Sequence, residues 1–292
     1  MNRREAIRHV TRRLEFARVP SADVEAEHLV AEVLGCSRPM LWMESQRLLE
    51  PAEMERLQDW LTRREQRVPL QHLSGLAPFL DWMFRVSPAV LVPRPETEGL
   101  ARRAMEVLVA REQAAPGRPQ RVLDFATGSG CLAVSIAKRH PQACVTALDI
   151  SAPALKIART NAADLLVANR IDFREGDGFA ALGEGPLPHA RFDLIVSNPP
   201  YLPTAEIASL EPEVRDHDPR LALDGGADGL DFYRRLAREA PAWLVPDGLL
   251  LAEFGDGQGP DILALFRTGD WDALGCEPDL AGRDRLLVAR RR

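Results

Sequence analysis

Apolar residues recur along this chain with two different rhythms, and the change from one to the other divides it. In the first portion they fall at helical spacing, as at Leu57, Trp60 and Leu61. Ser21 stands where it can cap a helix whose first turn holds Asp23 and Glu25, Gly35 can end that helix, and Pro51 suits the first turn of the next. Between Gly75 and Pro93 the pattern becomes short extended runs broken by proline, at 79–80 and 83–86, which predicts a β-hairpin. A helix over 96–111 follows, and residues 113–119 read as a surface loop. Short apolar runs at 121–125, 143–148, 192–197, 248–254 and 285–289 then alternate with helical stretches such as 131–139 and 230–240. Strand and helix in alternation predict an α/β fold, a mainly parallel sheet flanked by helices. The expected organisation is a helical domain over 1–76, a hairpin linker over 77–93 and a sheet domain over 94–292.

Composition narrows the class. The 292 residues are 46% hydrophobic and 27% charged, enough apolar material for a sizeable core. No stretch has the length and apolarity of a membrane span, and the charged residues 1–5 lack the apolar centre of a signal peptide, so a cytoplasmic protein acting away from membranes is expected. A net charge of −6 argues against a surface devoted to nucleic acid. The cysteines, Cys36, Cys131, Cys144 and Cys276, are scattered without metal-ligand spacing and are expected to be reduced packing residues, with no metal site. Arg12, Arg13, Arg63 and Arg64 are expected to line solvated helix faces, and the chain to be a monomer.

Two constellations carry chemistry. In the first, the strand at 121–125 runs into Ala126-Thr127-Gly128-Ser129-Gly130 and then a helix. Such a turn brings backbone close to a ligand, and the helix start favours a carboxylate or phosphate. The next strand ends in Asp149, about 20 residues beyond the glycines, where an acid accepts hydrogen bonds from ribose hydroxyls. The loop also fits the dinucleotide fingerprint G-x-G-x-x-A, so a dehydrogenase stays open on the loop alone. Asp124, at the strand end, is placed to order the loop or meet an ammonium group, which favours S-adenosylmethionine. Asp177, between Gly176 and Gly178 after a further strand, can accept from an adenine amino group or serve only as a turn residue.

The second constellation is Asn198-Pro199-Pro200-Tyr201, directly after the apolar run at 192–197. To be methylated, a planar amino nitrogen must have its hydrogens held by fixed acceptors that bring no competing donors. Asn198 offers a side-chain carbonyl, and the prolines offer backbone carbonyls on a chain stiffened by fixed φ and lacking N–H groups. The Tyr201 ring can cover the flat face of the amide or base. The polar connection over 203–228 has the length of an active-site lid. Within it Glu211, Glu213 and His217 are candidates for acid or base work, with exposed, solvated residues the stronger expectation. Arg94 and Thr97 either touch a ligand or simply start the helix at 96.

With these residues in place, the chain resembles the HemK/PrmC-type protein-(glutamine-N5) methyltransferases that act on peptide chain release factors. The resemblance also takes in 67–75, 84–88, 90–98, 221–230 and 279–285. Its most discriminating stretch is Pro93-Arg94-Pro95-Glu96-Thr97-Glu98, since a sibling group acting on a ribosomal protein differs after the proline and arginine. The resemblance implies a class I methyltransferase fold, Rossmann-like, with a mainly parallel seven-stranded sheet whose last strand is reversed, and a helical domain that helps recognise the protein substrate. It implies that residues 126–130 surround the methionine moiety of S-adenosylmethionine, that Asp149 holds the ribose, that Asp177 and Gly178 lie beside the adenine, and that residues 198–201 hold the substrate glutamine. Two positions depart from the family pattern. Ala126 stands where glycine is usual, an intrusion acceptable at φ below zero, and Gly178 where some members carry an aromatic residue against the adenine. The nearest rival is methylation of an amino group in DNA, followed by a non-catalytic binding module.

Overall fold

The computed structural model describes residues 1–183, 185, 190–267, 269–279 and 281–292. Leu280, within one of the resembling stretches, lies outside them. The chain forms two compact units, one of residues 1–75 with 211–217, the other of 76–210 with 218–292.

The first unit is helical: α1 (Arg3–Phe16), α2 (Ala22–Leu34), α3 (Arg38–Met43), α4 (Pro51–Glu65) and α5 (Leu70–Ser74). Helically spaced Ala6, Val10 and Leu14 of α1 meet Leu29, Val30 and Val33 of α2 and Leu57 and Leu61 of α4 in one buried cluster. Gly35 ends α2 in the left-handed conformation, and Pro51 sits in the first turn of α4. Ser21 differs from expectation. It occupies the N-cap position of α2 with φ near +49°, and its side chain makes no capping bond.

Arg64 also departs from its expected place. It is buried, hydrogen-bonded to Glu25 Oε1 and Glu213 Oε1 at 2.8 Å each, while Arg67 grips Glu213 through Nε and Nη2 at 2.7 Å. Glu213 therefore belongs to an ion-pair network within this unit. Burial works to raise its pKa, but hydrogen bonds from Arg67 and Arg64 hold it below the usual carboxylate value, so it is neither a solvated residue nor a free base.

The second unit opens with the hairpin β1 (Leu76–Phe79) and β2 (Trp82–Arg85), paired antiparallel as the proline-broken runs indicate. Then come α6 (Thr97–Ala114), β3 (Gln120–Phe125), α7 (Cys131–Arg139), β4 (Ala143–Asp149), α8 (Ala152–Asp164), β5 (Ile171–Glu175), β6 (Phe192–Ser197), α9 (Pro212–Arg215, part of the first unit), α10 (Asp231–Trp243), β7 (Leu244–Glu253), α11 (Gly259–Leu265), β8 (Trp271–Pro278) and β9 (Asp284–Arg291). The seven strands β3 to β9 form one sheet in the order β5-β4-β3-β6-β7-β9-β8. Pairings are parallel from β5 to β7, and β9 runs antiparallel to both its neighbours, the reversed last strand that was expected.

Period-two alternation builds two cores from one set of strands. Val122, Leu194, Val196, Leu251 and Val288 face a cluster completed by α6, α7 and α8, whereas Leu123, Ile195, Leu250 and Leu287 face one completed by α10 and α11. Among the described residues, no helix is long and apolar enough to cross a membrane. The strand order reverses between β3 and β6, and in open α/β sheets ligands bind beyond the carboxyl strand ends at such a point.

Candidate active site

Beyond those strand ends lies a cleft of about 1100 Å³, counting open solvent at its mouth. Its wall includes Ala126, Thr127, Gly128 and Ser129 after β3, Asp149 ending β4, Asp177 and Gly178 after β5, and Asn198 and Pro200 after β6. Among residues 126–130 and 198–201, three are not part of that wall. A Cβ on Gly130 (φ +78°) would come within 2.9 Å of the Ala158 Cβ, so this glycine lets the start of α7 approach α8 closely. Pro199 is buried, and Tyr201 packs against the core on the α10 side.

Asp124 organises the glycine loop. Fully buried, it accepts from Thr127 Oγ1 at 2.6 Å and from the Ala133 N–H at 3.0 Å through one oxygen, and its other oxygen has no partner. Burial pushes its carboxyl up to about 7, against those two bonds. Asp149 ties down the far side, accepting from the N–H groups of Gly128 at 2.8 Å and Ser151 at 2.9 Å. The carboxylate still has acceptor capacity for a ligand hydroxyl. A Cβ on Gly128 would meet nothing within 4 Å, so open space adjoins the loop where the backbone turns. Acids at successive strand ends beside an open backbone turn fit a nucleoside with an amino-acid tail, which is the shape of S-adenosylmethionine.

Ala126 corrects an expectation. Its φ is +61°, not below zero, and in that region the Cβ crowds the backbone by about 1–2 kcal/mol. Ala126→Gly is expected to stabilise the protein by about 1 kcal/mol or somewhat less, since the glycine also loosens the unfolded chain. Thermal unfolding checks this as a Tm rise of a few degrees.

The Asn198 carboxamide is held by residues outside its own loop. Its Nδ2 donates to Thr97 Oγ1 at 3.0 Å, so Thr97, buried at the start of α6, does more than begin a helix. Glu253, at the end of β7, is buried beside Thr97 and Asn198, whose polar groups favour its ionised form. With Nδ2 committed, Oδ1 is the carboxamide atom left to accept from a ligand.

Burial pushes Glu253 up to about 7 from an ordinary 4.5, more than the polar neighbours Thr97 and Asn198 and the charge of Arg285 lower it. The folded state thus disfavours the ionised form. That penalty is absent below about 4.5, grows as the pH rises, and is complete above about 7. Glu253→Gln removes the titration, so the stability of the variant relative to the parent is expected to climb across that window. Chemical denaturation of both proteins at a series of pH values measures it.

The backbone after Asn198 is buttressed from the connection over 203–228. Leu202 exchanges backbone hydrogen bonds with Leu223 and Gly225, and Gln258 Nε2 donates to the Tyr201 carbonyl at 2.9 Å. A Cβ on Gly225 would lie 2.9 Å from the Pro200 oxygen, and one on Gly229 only 2.3 Å from the Tyr201 oxygen. These glycines admit a close approach to the Pro200 and Tyr201 carbonyls.

On the opposite wall, Arg235 of α10 pairs with Asp177, Nη1 to Oδ1 and Nη2 to the backbone oxygen at 2.8 Å. Asp177 keeps its second carboxylate oxygen. Arg94 lines the same cleft and donates to the buried Asp218 carboxylate at 2.6 Å. The Cys131 thiol also belongs to this wall; burial pushes it up to about 12, which keeps it neutral near pH 7.

Comparison with known proteins bears on this geometry. Residues 5–75 match the family described as PrmC N-terminal domain, and residues 103–210 match the methyltransferase small domain. A release factor glutamine methyltransferase from Deinococcus radiodurans is 45% identical over 291 residues, covering 100% of this chain and 99% of that protein. The chain belongs to the release factor glutamine methyltransferase family. Another relative of that description, from Rhodospirillum rubrum, is 41% identical over 96% of this chain and 82% of its own length. A solved structure of a release factor-specific protein-(glutamine-N5) methyltransferase from Alicyclobacillus acidocaldarius is 29% identical, covers 72% of this chain and 99% of that one, and has a TM-score of 0.41. Membership of the release factor glutamine methyltransferase family makes the chain a methyltransferase with S-adenosylmethionine as the methyl donor.

Proposed function

We propose that this chain transfers the methyl group of S-adenosylmethionine to the side-chain amide nitrogen, N5, of the glutamine in the Gly-Gly-Gln motif of peptide chain release factors. The observation that carries the assignment is the Asn198 carboxamide, whose nitrogen donates to Thr97 so that its oxygen is available to the cleft. The Asn198 Oδ1 and Pro199 carbonyl accept the two hydrogens of the glutamine amide, with Tyr201 packed behind their loop against the core. Holding both hydrogens turns the nitrogen lone pair toward the methyl carbon and stabilises the positive charge that develops on nitrogen.

The cofactor supplies an activated methyl group on a sulfonium. A carbon–nitrogen bond forms as the carbon–sulfur bond breaks, and the surplus proton then leaves the nitrogen for water. Residues 126–130 bind and shape the space around the methionine moiety, directly or, for Gly130, by letting two helices close behind the loop. Asp149 accepts from the ribose hydroxyls, and Asp177 with Gly178 borders the adenine. The helical unit recognises the protein substrate, and the enzyme works as a cytoplasmic monomer that needs neither nucleic acid nor metal.

Labelled S-adenosylmethionine incubated with a release factor, its Gln→Ala loop variant, a ribosomal-protein substrate of the sibling group, or duplex DNA tests the substrate class. Label on the unaltered release factor alone is the expected result. Label on the loop variant, the ribosomal protein or the DNA contradicts it.

A further inference from the structure

Two residues of the cleft wall beyond Asp149 have no side chain of their own. Gly176 and Gly178 flank Asp177, and both line the cavity. What fills the space over Gly178 comes from another element: a Cβ built on Gly178 would lie 2.3 Å from both Cζ and Nη2 of Arg235. The Arg235 guanidinium therefore occupies the volume that a side chain at 178 would take.

Its edges are committed. Nη1 and Nη2 bond to Asp177, and Nε donates to Glu239 Oε2 at 3.2 Å, which fixes the plane and offsets its charge with two carboxylates. The side chain is 22% exposed, so its flat surface is not sealed in the core. Phe232, one turn earlier on the same face of α10, lines the cleft beside it. A pre-organised guanidinium plane stacks on aromatic rings, purines included, in a way that a lysine ammonium does not.

We propose that Arg235 is a cofactor-binding residue of this chain, its guanidinium plane forming the stacking platform for the adenine ring in place of a side chain at 178. This rests on the S-adenosylmethionine reading of the cleft. The glycine at 178 is then required by the arginine: any Cβ there displaces the guanidinium.

Calorimetry with S-adenosylhomocysteine on the full chain tests the proposal, with Tm measured for each variant. Binding by the unaltered protein is the control for the cofactor reading itself, and its failure removes that reading before Arg235 is at issue. Given binding, Arg235→Ala is expected to weaken it about tenfold, in the range of stacking contacts removed by alanine substitution. Arg235→Lys keeps a cation for Asp177 but no plane, and is expected to lose nearly as much. Gly178→Asn, chosen because asparagine tolerates positive φ, is expected to weaken binding to a similar extent, and the G178N/R235A protein to lose no more than the weaker single variant. Arg235→Ala or Arg235→Lys binding within twofold of the parent overturns the proposal, the latter because it would reduce Arg235 to an anchor for Asp177. Full additivity of the two substitutions overturns it as well.

Discussion

Asn198→Ala is expected to lower kcat for glutamine methylation by about 10²–10³-fold, the usual cost of deleting one pre-organised group that stabilises transition-state charge. Binding of S-adenosylhomocysteine should stay within about threefold of the parent, because the missing oxygen interacts with the charge that grows on nitrogen and not with the resting cofactor. The expectation follows from how the carboxamide is held. Thr97 Oγ1, itself buried, receives Nδ2 at 3.0 Å, so the acceptor is fixed before substrate arrives. Single-turnover transfer rates with saturating cofactor and release factor, together with calorimetric affinities, measure the two quantities separately. A variant with near-parental turnover, or one whose main defect is cofactor affinity, contradicts this role.

The second large effect is expected at Asp149. Its carboxylate already accepts from Gly128 and Ser151, and its remaining lone pairs are assigned to ribose hydroxyls. Replacing it with alanine removes charge-assisted bonds worth about 1.5–3 kcal/mol each and frees the glycine loop it anchors. Asp149→Ala is therefore expected to weaken S-adenosylhomocysteine binding by about 100-fold or more, corresponding to about 2.7 kcal/mol. Once cofactor is saturating, kcat should recover much of its parental value, the opposite split to Asn198→Ala. Cofactor titration of initial rates distinguishes the two patterns, and an unchanged affinity would remove Asp149 from the site.

The framework of the cleft was legible because the chemistry sits where the apolar pattern stops. The strands β3, β4 and β6 each hold a short apolar run, and Asp124, Asp149 and Asn198 stand at or just past their carboxyl ends. What the sequence hid are features that tertiary contacts decide. β8 carries Gly275 at φ +140°, ends in proline, is mostly half-buried on the sheet edge, and so shows no clean alternation. β7 begins at Leu244, earlier than its apolar run, because Pro246-Asp247-Gly248 reads as a turn although the chain continues pairing beyond it.

Glu253 had no motif to mark it. In sequence it is one acid at the end of a strand, and only burial against Thr97 and Asn198 gives it meaning. Gly225 and Gly229 fall within the resembling stretch 221–230, but their closeness to the Pro200 and Tyr201 oxygens depends on a loop returning across some two dozen residues. Ala126 and Ser21 both adopt positive φ, a conformation that neither residue type advertises. Arg64 and Glu213 looked like surface charges because each partner lies far away in sequence, at separations that helix-face reasoning does not reach.

The pair of fixed oxygens is tested most directly by a crystal structure of the enzyme with S-adenosylhomocysteine and a peptide containing Gly-Gly-Gln. The predicted result places Asn198 Oδ1 and the Pro199 carbonyl oxygen each about 3 Å from the glutamine amide nitrogen, with that nitrogen facing the cofactor sulfur. A glutamine bound with its amide nitrogen away from those oxygens, or met there by Asn198 Nδ2, would contradict it.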